Sequence, residues 1–263
     1  MMTAPAPNSH TEAQKFFDQI AEDYRARSEC AVYNVSSLSF ARRQEVVTSM
    51  LAQTPAGGTV LDYGMGPAVF GPPAVARGLK YIGVDISQKM IELAERMKLP
   101  NAEYHQGDLS VLEKFQGAAD TVLLIGLIDY LEHPTEGLRA LARCVKPGGR
   151  IILSFHNHRS FPRALRNGCK AMYRAVKGES HEPGTAFAAP VLERSFVPQR
   201  DFEPALREEG FKDFEVRYLD ASPVFWKMPL PKPLWHLWKK VDAIFAQPFL
   251  SGLCASGILM GKK

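Results

Sequence analysis

Val60-Leu61-Asp62-Tyr63-Gly64-Met65-Gly66-Pro67-Ala68 is the stretch on which the fold depends. Thr59–Tyr63 reads as a short buried strand carrying an acid near its end, and glycines follow at once. In an open α/β sheet a ligand sits beyond the carboxyl ends of the strands, where strand order reverses. Gly64 and Gly66 let the backbone turn tightly and approach such a ligand closely. A lone Gly-x-Gly also fits an ordinary tight turn, so the surrounding sequence has to choose.

Downstream, strands and helices alternate. Lys80–Asp85 predicts a strand and Ser87–Met97 a helix capped by Ser87. Ala102–His105 predicts a short strand. Asp120–Ile125 is apolar throughout, as a strand buried on both faces would be. Thr135–Val145 predicts a helix, Lys146-Pro147-Gly148-Gly149 a turn, and Arg150–Phe155 the next strand. Such alternation implies parallel strands joined by right-handed crossovers. The expected fold is α/β: a doubly wound, Rossmann-like, mostly parallel seven-stranded sheet with helices on both faces and an inserted lid.

Five segments follow from this reading. Residues 1–10 are expected to be a disordered tip. Residues 11–55 form an N-terminal helical lid, with one helix from a Thr11 cap to about Arg27 and another over Ser36–Ala52. Residues 56–156 are the core. Residues 157–198 are a basic insertion with its own helix, in which Arg163, Arg166, Lys170, Arg174 and Lys177 recur every three or four positions. Residues 199–263 complete the sheet with a helix over Asp201–Glu209 and strands over Phe211–Leu219 and Cys254–Gly261. An aromatic, basic, proline-rich segment at 223–250 separates those strands.

Two further acids stand at strand ends. Asp85 closes the strand after the glycine turn, where a carboxylate can accept hydrogen bonds from both hydroxyls of a ribose. Gly107-Asp108-Leu109 follows the third strand, where a carboxylate can accept from an adenine amino group. A dinucleotide fingerprint needs a third glycine at position 69, which is Val69. An acid just before the first glycine would also repel a pyrophosphate. No G-x-x-x-x-G-K-[ST] run occurs, which excludes a P-loop.

The arrangement resembles the class I S-adenosylmethionine (SAM)-dependent methyltransferase family over about residues 58–156. Asp62, Gly64 and Gly66 match its first motif, Asp85 its ribose acid and Asp108 its adenine-side acid. Asp120-Thr-Val-Leu-Leu-Ile-Gly-Leu-Ile-Asp129 and Lys146-Pro-Gly-Gly149 are similar to its fourth- and fifth-strand motifs. Ala68 replaces the third glycine, and a slight shift of the turn is expected. Phe16 to Tyr24 looks like the leading helix that folds over the cofactor in small-molecule members, with Tyr24 as lid contact or core aromatic. The resemblance implies SAM as cofactor, S-adenosylhomocysteine (SAH) as product, and Asp62, Gly64, Gly66, Asp85, Ile86, Asp108, Leu109, Gly126 and Tyr24 as binding residues. Asp129-x-x-Glu132-His133 is similar to a run in ubiquinone-pathway O-methyltransferases that is associated with a divalent metal; no metal is assigned here. His156, Asp129 and His133 are the expected catalytic residues. The expected reaction is methyl transfer, preferentially to oxygen, on a small hydrophobic or anionic acceptor that can be lipid-like. Alternatives are an RNA or protein methyltransferase, a non-catalytic SAM-binding module and, more distantly, an NAD-dependent oxidoreductase.

Bulk properties agree with a globular enzyme. Hydrophobic residues are 46% and charged residues 23%. A net charge of +4, with no recognisable nucleic-acid module, gives no reason to expect a polynucleotide partner. Cys30, Cys144, Cys169 and Cys254 form no C-x-x-C pair. MMTAPAPNSH has neither the basic nor the apolar region of a secretory signal, and runs such as Thr121–Ile128 are too short to span a bilayer. A cytoplasmic location is expected. Tryptophan beside lysine in 223–250 also suits peripheral contact with a membrane.

Overall fold

The computed structural model describes residues 9–29, 33–161, 163–165, 168, 172, 194–221, 231–245 and 247–263. Two N-terminal helices, α1 (Ser9–Ser28) and α2 (Val35–Leu51), precede the sheet. Then come β1 (Thr59–Tyr63), α3 (Gly71–Val75), β2 (Lys80–Asp85), α4 (Gln88–Glu95) and β3 (Ala102–Gln106). A 3-10 helix at Leu109–Phe115 leads to β4 (Ala119–Leu124), and another at Ile128–Tyr130 leads to α5 (Pro134–Cys144) and β5 (Val145–His156). The chain closes with α6 (Pro198–Asp201), α7 (Glu203–Glu208), β6 (Lys212–Leu219), α8 (Lys232–Phe245), a 3-10 helix at Pro248–Leu253 and β7 (Ser256–Lys262).

The strands form one seven-stranded sheet in the order β3-β2-β1-β4-β5-β7-β6. The first five are parallel, and β7 runs antiparallel between β5 and β6. From β1 the chain winds outward through β2 to β3, then crosses back to β4. The switch point therefore lies at the carboxyl ends of β1 and β4, where α/β sheets open a crevice. The apolar run in β4 reflects burial on both faces. Val122 and Leu124 feed the core under α5 and α7, while Leu123 feeds the core under α2, α3 and α4. Neighbouring Leu61 and Val60 in β1 divide in the same way.

Local chemistry explains most helix ends. Asn34 caps α2 and exchanges hydrogen bonds with Ser37 in a capping box. Ser87 caps α4 by accepting from the Met90 amide at 3.2 Å.

Three expectations change, and one segment left without an element gains one. Helix α1 starts at Ser9, so Thr11 is inside it rather than its cap, and the predicted disordered tip loses its last two residues; positions 1–8 lie outside the described residues. Lys146–Gly149 is not a turn before a strand but a bulge within β5: Val145 pairs with Ala119 and Arg150 with Thr121. Asp120 holds this bulge, accepting from Lys146 Nζ at 2.7 Å and the Thr59 amide at 2.8 Å. The helix predicted at Asp201–Glu209 is divided at Phe202, which is buried in the core. Pro204 opens the second piece, where its missing N–H costs nothing. Within 223–250, residues 232–245 form a full helix, because Pro233 occupies its first turn, the position a helix tolerates. The basic positions Arg166, Lys170, Arg174 and Lys177, and Cys30, Cys169 and Trp226, lie outside the described residues. No helix among the described residues is long and apolar enough to cross a membrane.

Candidate cofactor and acceptor site

At the end of β1 the backbone turns through left-handed conformations at Gly64 (φ +71°) and Gly66 (φ +54°). The Gly64 and Met65 amides both donate to the Val84 carbonyl, at 2.8 and 3.1 Å, which ties the turn to β2. A Cβ on Gly64 would lie 2.5 Å from Leu127 Cδ2, so no larger residue fits without repacking. Ala68, standing for the third glycine, takes φ +54° itself and is fully buried. The alanine thus adopts a left-handed conformation, which costs about 1–2 kcal/mol.

The three strand-end acids already have partners. Asp62 is buried and accepts from the Tyr81 hydroxyl at 2.6 Å. Burial pushes its pKa up to about 7, against the Tyr81 hydrogen bond and with the help of the Asp85 charge. Asp85 accepts from the Gly66 amide at 2.8 Å and the Ser87 amide at 2.9 Å. Burial raises its pKa to about 6 despite those bonds. Asp108 accepts from the Ser110 amide and hydroxyl, at 2.9 and 2.7 Å, at the head of the 3-10 helix. Ile86 and Leu109, directly after Asp85 and Asp108, are half-buried beside them.

Helix α1 closes over this turn. The Tyr24 ring would touch a Cβ on Gly66 at 3.5 Å, and it packs edge-on against Phe40 of α2, centroids 5.4 Å apart. Beneath it remains a cavity of about 20 Å³ bounded by Asp62, Gly64, Arg43, Phe70 and Ile125. That is room for one water molecule. Burial raises the Tyr24 hydroxyl pKa, opposed by the nearby Arg43 charge.

Arg43 is the residue the sequence reading missed. Its guanidinium lies over Phe40 at 5.6 Å, and its Nη1 is 3.2 Å from where a Gly126 Cβ would be. Its Nε is buried with no hydrogen-bond partner among the described residues. A desolvated cation with an open donor beside the glycine turn fits a carboxylate. The available signal was its place on α2: Arg43 stands three, four and seven positions before Val46, Val47 and Met50, all core residues. A charge on the buried stripe of a helix asks for a partner.

The expected catalytic residues lie beyond β4 and β5. Gly126 turns left-handed (φ +72°), and its amide donates to Ser154 Oγ at 2.7 Å. Asp129 Oδ2 and His156 Nδ1 are 2.9 Å apart, without the alignment of a hydrogen bond. Asp129 Oδ1 and His156 Nδ1 are buried and without hydrogen-bond partners among the described residues. Tyr130 packs edge-on with Phe17 of α1, so the same lid covers both sides. His133 is elsewhere: it is exposed at the head of α5 and makes no capping bond. Glu132 is exposed as well, and its carbonyl accepts from Arg194 at 3.3 Å. The run from Asp129 to His133 is therefore split, with Asp129 turned to His156. Among the described residues no group of three or more His, Cys, Asp or Glu is placed to hold a metal ion.

A family model described as a methyltransferase domain matches residues 38–216, more than half of the chain. The chain belongs to this methyltransferase family. The methyltransferase is 25% identical to a demethylmenaquinone methyltransferase of Renibacterium salmoninarum, covering 81% of this chain and 89% of the relative. It is 28% identical to a ubiquinone biosynthesis O-methyltransferase of Paracidovorax citrulli, over 64% and 69% of the two chains. Its fold matches magnesium protoporphyrin IX methyltransferase of Synechocystis, solved with bound SAH, with a TM-score of 0.64 at 20% identity over 96% and 99% of the chains. The protein is a class I SAM-dependent methyltransferase. The residues at the turn fit its cofactor: acids for an ammonium group and a ribose, an open guanidinium for a carboxylate, and a bare backbone between them.

Proposed function

We propose that this methyltransferase acts on a hydroxyl oxygen of a small, hydrophobic or anionic, hydroxylated aromatic acceptor of the quinone type. The observation that carries the reading is the approach of Asp129, in the 3-10 helix after β4, to His156 at the end of the adjacent strand β5. Bound SAM supplies a methyl group on a sulfonium that is already strongly electrophilic. The protein's task is alignment and exclusion of water, plus removal of a proton where the acceptor is a hydroxyl.

His156 Nδ1 faces Asp129, which leaves Nε2 to take the proton of an acceptor hydroxyl whose oxygen would receive the methyl group. Asp129 orients the ring and stabilises the imidazolium that forms. A small rotation aligns the pair, as catalytic hydrogen bonds are often loose before substrate binds. Arg43 would hold the cofactor carboxylate, Asp62 its ammonium, Asp85 the ribose and Asp108 the adenine, with Tyr24 as the lid. The relatives named for demethylmenaquinone and for ubiquinone biosynthesis support a quinone-like acceptor.

The test is incubation with methyl-labelled SAM and hydroxylated benzoquinols and naphthoquinols, followed by identification of the labelled product. A methyl ether is expected. Label on a ring carbon, or no transfer to any hydroxyl-bearing aromatic, overturns the reading.

A further inference from the structure

Helix α8 carries its apolar side chains on both faces. Its inner face holds Trp235 and Asp242, seven residues apart and buried. Trp235 donates to Ser37 Oγ at 3.2 Å, and Asp242 accepts from Arg42 at 3.3 Å and from the Ala221 amide at 2.6 Å. On the opposite face Leu237 and Ile244, also seven apart, are 56% and 66% exposed, with Leu234 alongside at 53%. A helix that only packs on a sheet turns polar residues outward. The 3-10 helix that follows exposes 82% of Phe249.

The exposed charges on α8 itself are basic. Lys232 and Lys240 are exposed; Lys239 is part-exposed, paired with Glu45 and set over Trp235. The sole acid of α8, Asp242, is buried, and the 3-10 helix has no charge. Its location is equally specific. Asn157, directly after His156, donates to the Ser251 and Cys254 carbonyls at 2.8 and 2.9 Å. The turn bearing Phe249 is therefore pinned to the end of β5, at the catalytic edge of the sheet. Phe161, 64% exposed, follows four residues after Asn157.

We propose that the outer face of α8, with Phe249, docks on the surface of an anionic lipid bilayer, turning the acceptor side toward the membrane. Large apolar side chains enter the boundary of the acyl chains while lysines meet the phosphates. The absence of an outward acid on α8 and the turn after it favours anionic lipid over a second copy of the chain, which would bring like charges together. The proposal deepens the reading of an apolar acceptor and rests on it for its purpose, not for its test.

The experiment sediments the full chain with vesicles of phosphatidylcholine and with vesicles rich in phosphatidylglycerol, alongside a variant combining Leu237→Asp, Ile244→Asp and Phe249→Asp. The wild type is expected to bind the anionic vesicles, less so as salt is raised. The variant is expected to lose roughly tenfold or more of that affinity. SAM titration of both proteins shows that the variant keeps its fold. Wild-type protein left in the supernatant, or a variant that sediments equally well, overturns the proposal. So does a dimer that the variant abolishes without any vesicle binding. Methylation of a water-soluble hydroxyaromatic without vesicles reports separately on the acceptor reading, so failure of either is recognised by itself.

Discussion

The two sides of the catalytic edge are prepared differently. At the tips of β1, β2 and β3 each acid has a hydrogen-bond partner: Asp62 has Tyr81, Asp85 has the Gly66 and Ser87 amides, and Asp108 has Ser110. Beyond β4 and at the tip of β5, Asp129 Oδ2 and His156 Nδ1 lie 2.9 Å apart without a hydrogen bond, and Asp129 Oδ1 has no hydrogen-bond partner among the described residues. An unsatisfied buried polar atom costs about 1–3 kcal/mol. On the proposed assignment the cofactor side is satisfied when closed, and binding would exchange one set of partners for another. On the same assignment the acceptor side is the one whose buried polar atoms still lack hydrogen bonds. Arg43, with its open Nε, reaches from α2 between the two.

The largest effect expected from this contrast falls on the acceptor side. His156→Ala should lower methylation turnover by roughly 10²–10⁴-fold, the range of general base catalysis, while calorimetry finds SAM affinity unchanged. Equal losses in both would move His156 to the cofactor side and erase the contrast.

On the cofactor side, Asp85→Ala and Arg43→Met should each weaken SAM binding by about 1.5–3 kcal/mol, roughly tenfold to 150-fold, as for charge-assisted hydrogen bonds. Turnover at saturating SAM should persist. An Arg43→Met protein that binds SAM normally would remove the carboxylate assignment.

The third effect is a pH dependence. Folding raises the Asp62 pKa from 3.8 to about 7. The folded protein therefore holds a proton that the unfolded chain has released, and stability falls as pH rises between those values. A cofactor ammonium favours the ionised carboxylate, so SAM affinity should rise over the same window. Titrations at several pH values should show that rise in wild type and a flatter profile in Asp62→Asn.

The smallest effect concerns the turn alone. Ala68→Gly should relieve left-handed strain and, after the extra entropy of glycine, stabilise the protein by about 1 kcal/mol. At this size a thermal melt should shift up by roughly 2–4 °C. A downward shift would mean that the alanine methyl packs better than its backbone strains.

Much of this was legible along the chain. The parallel core, the Ser87 cap and the acids at strand tips follow from apolar runs, glycines and polar residues only a few positions apart. Reading failed where local signals conflict. The prolines of 223–250 left that segment without an assigned element although Pro233 starts a helix, and Lys146-Pro-Gly-Gly149 was a turn by composition but a bulge by pairing with β4. Arg43 was passed over because its burial depends on what packs against α2, which no local pattern shows.

The sequence by itself determined the kinds of element, their order, and hence a doubly wound sheet with acids facing a glycine turn, because periodicity, capping and chain breaking act within a few residues. Tertiary structure alone decided which side chains meet: Tyr24 on Gly66, Arg43 beside Gly126, Asp129 against His156. Those meetings depend on how crossovers fold back and on strand register, which bring together residues that no local rule relates.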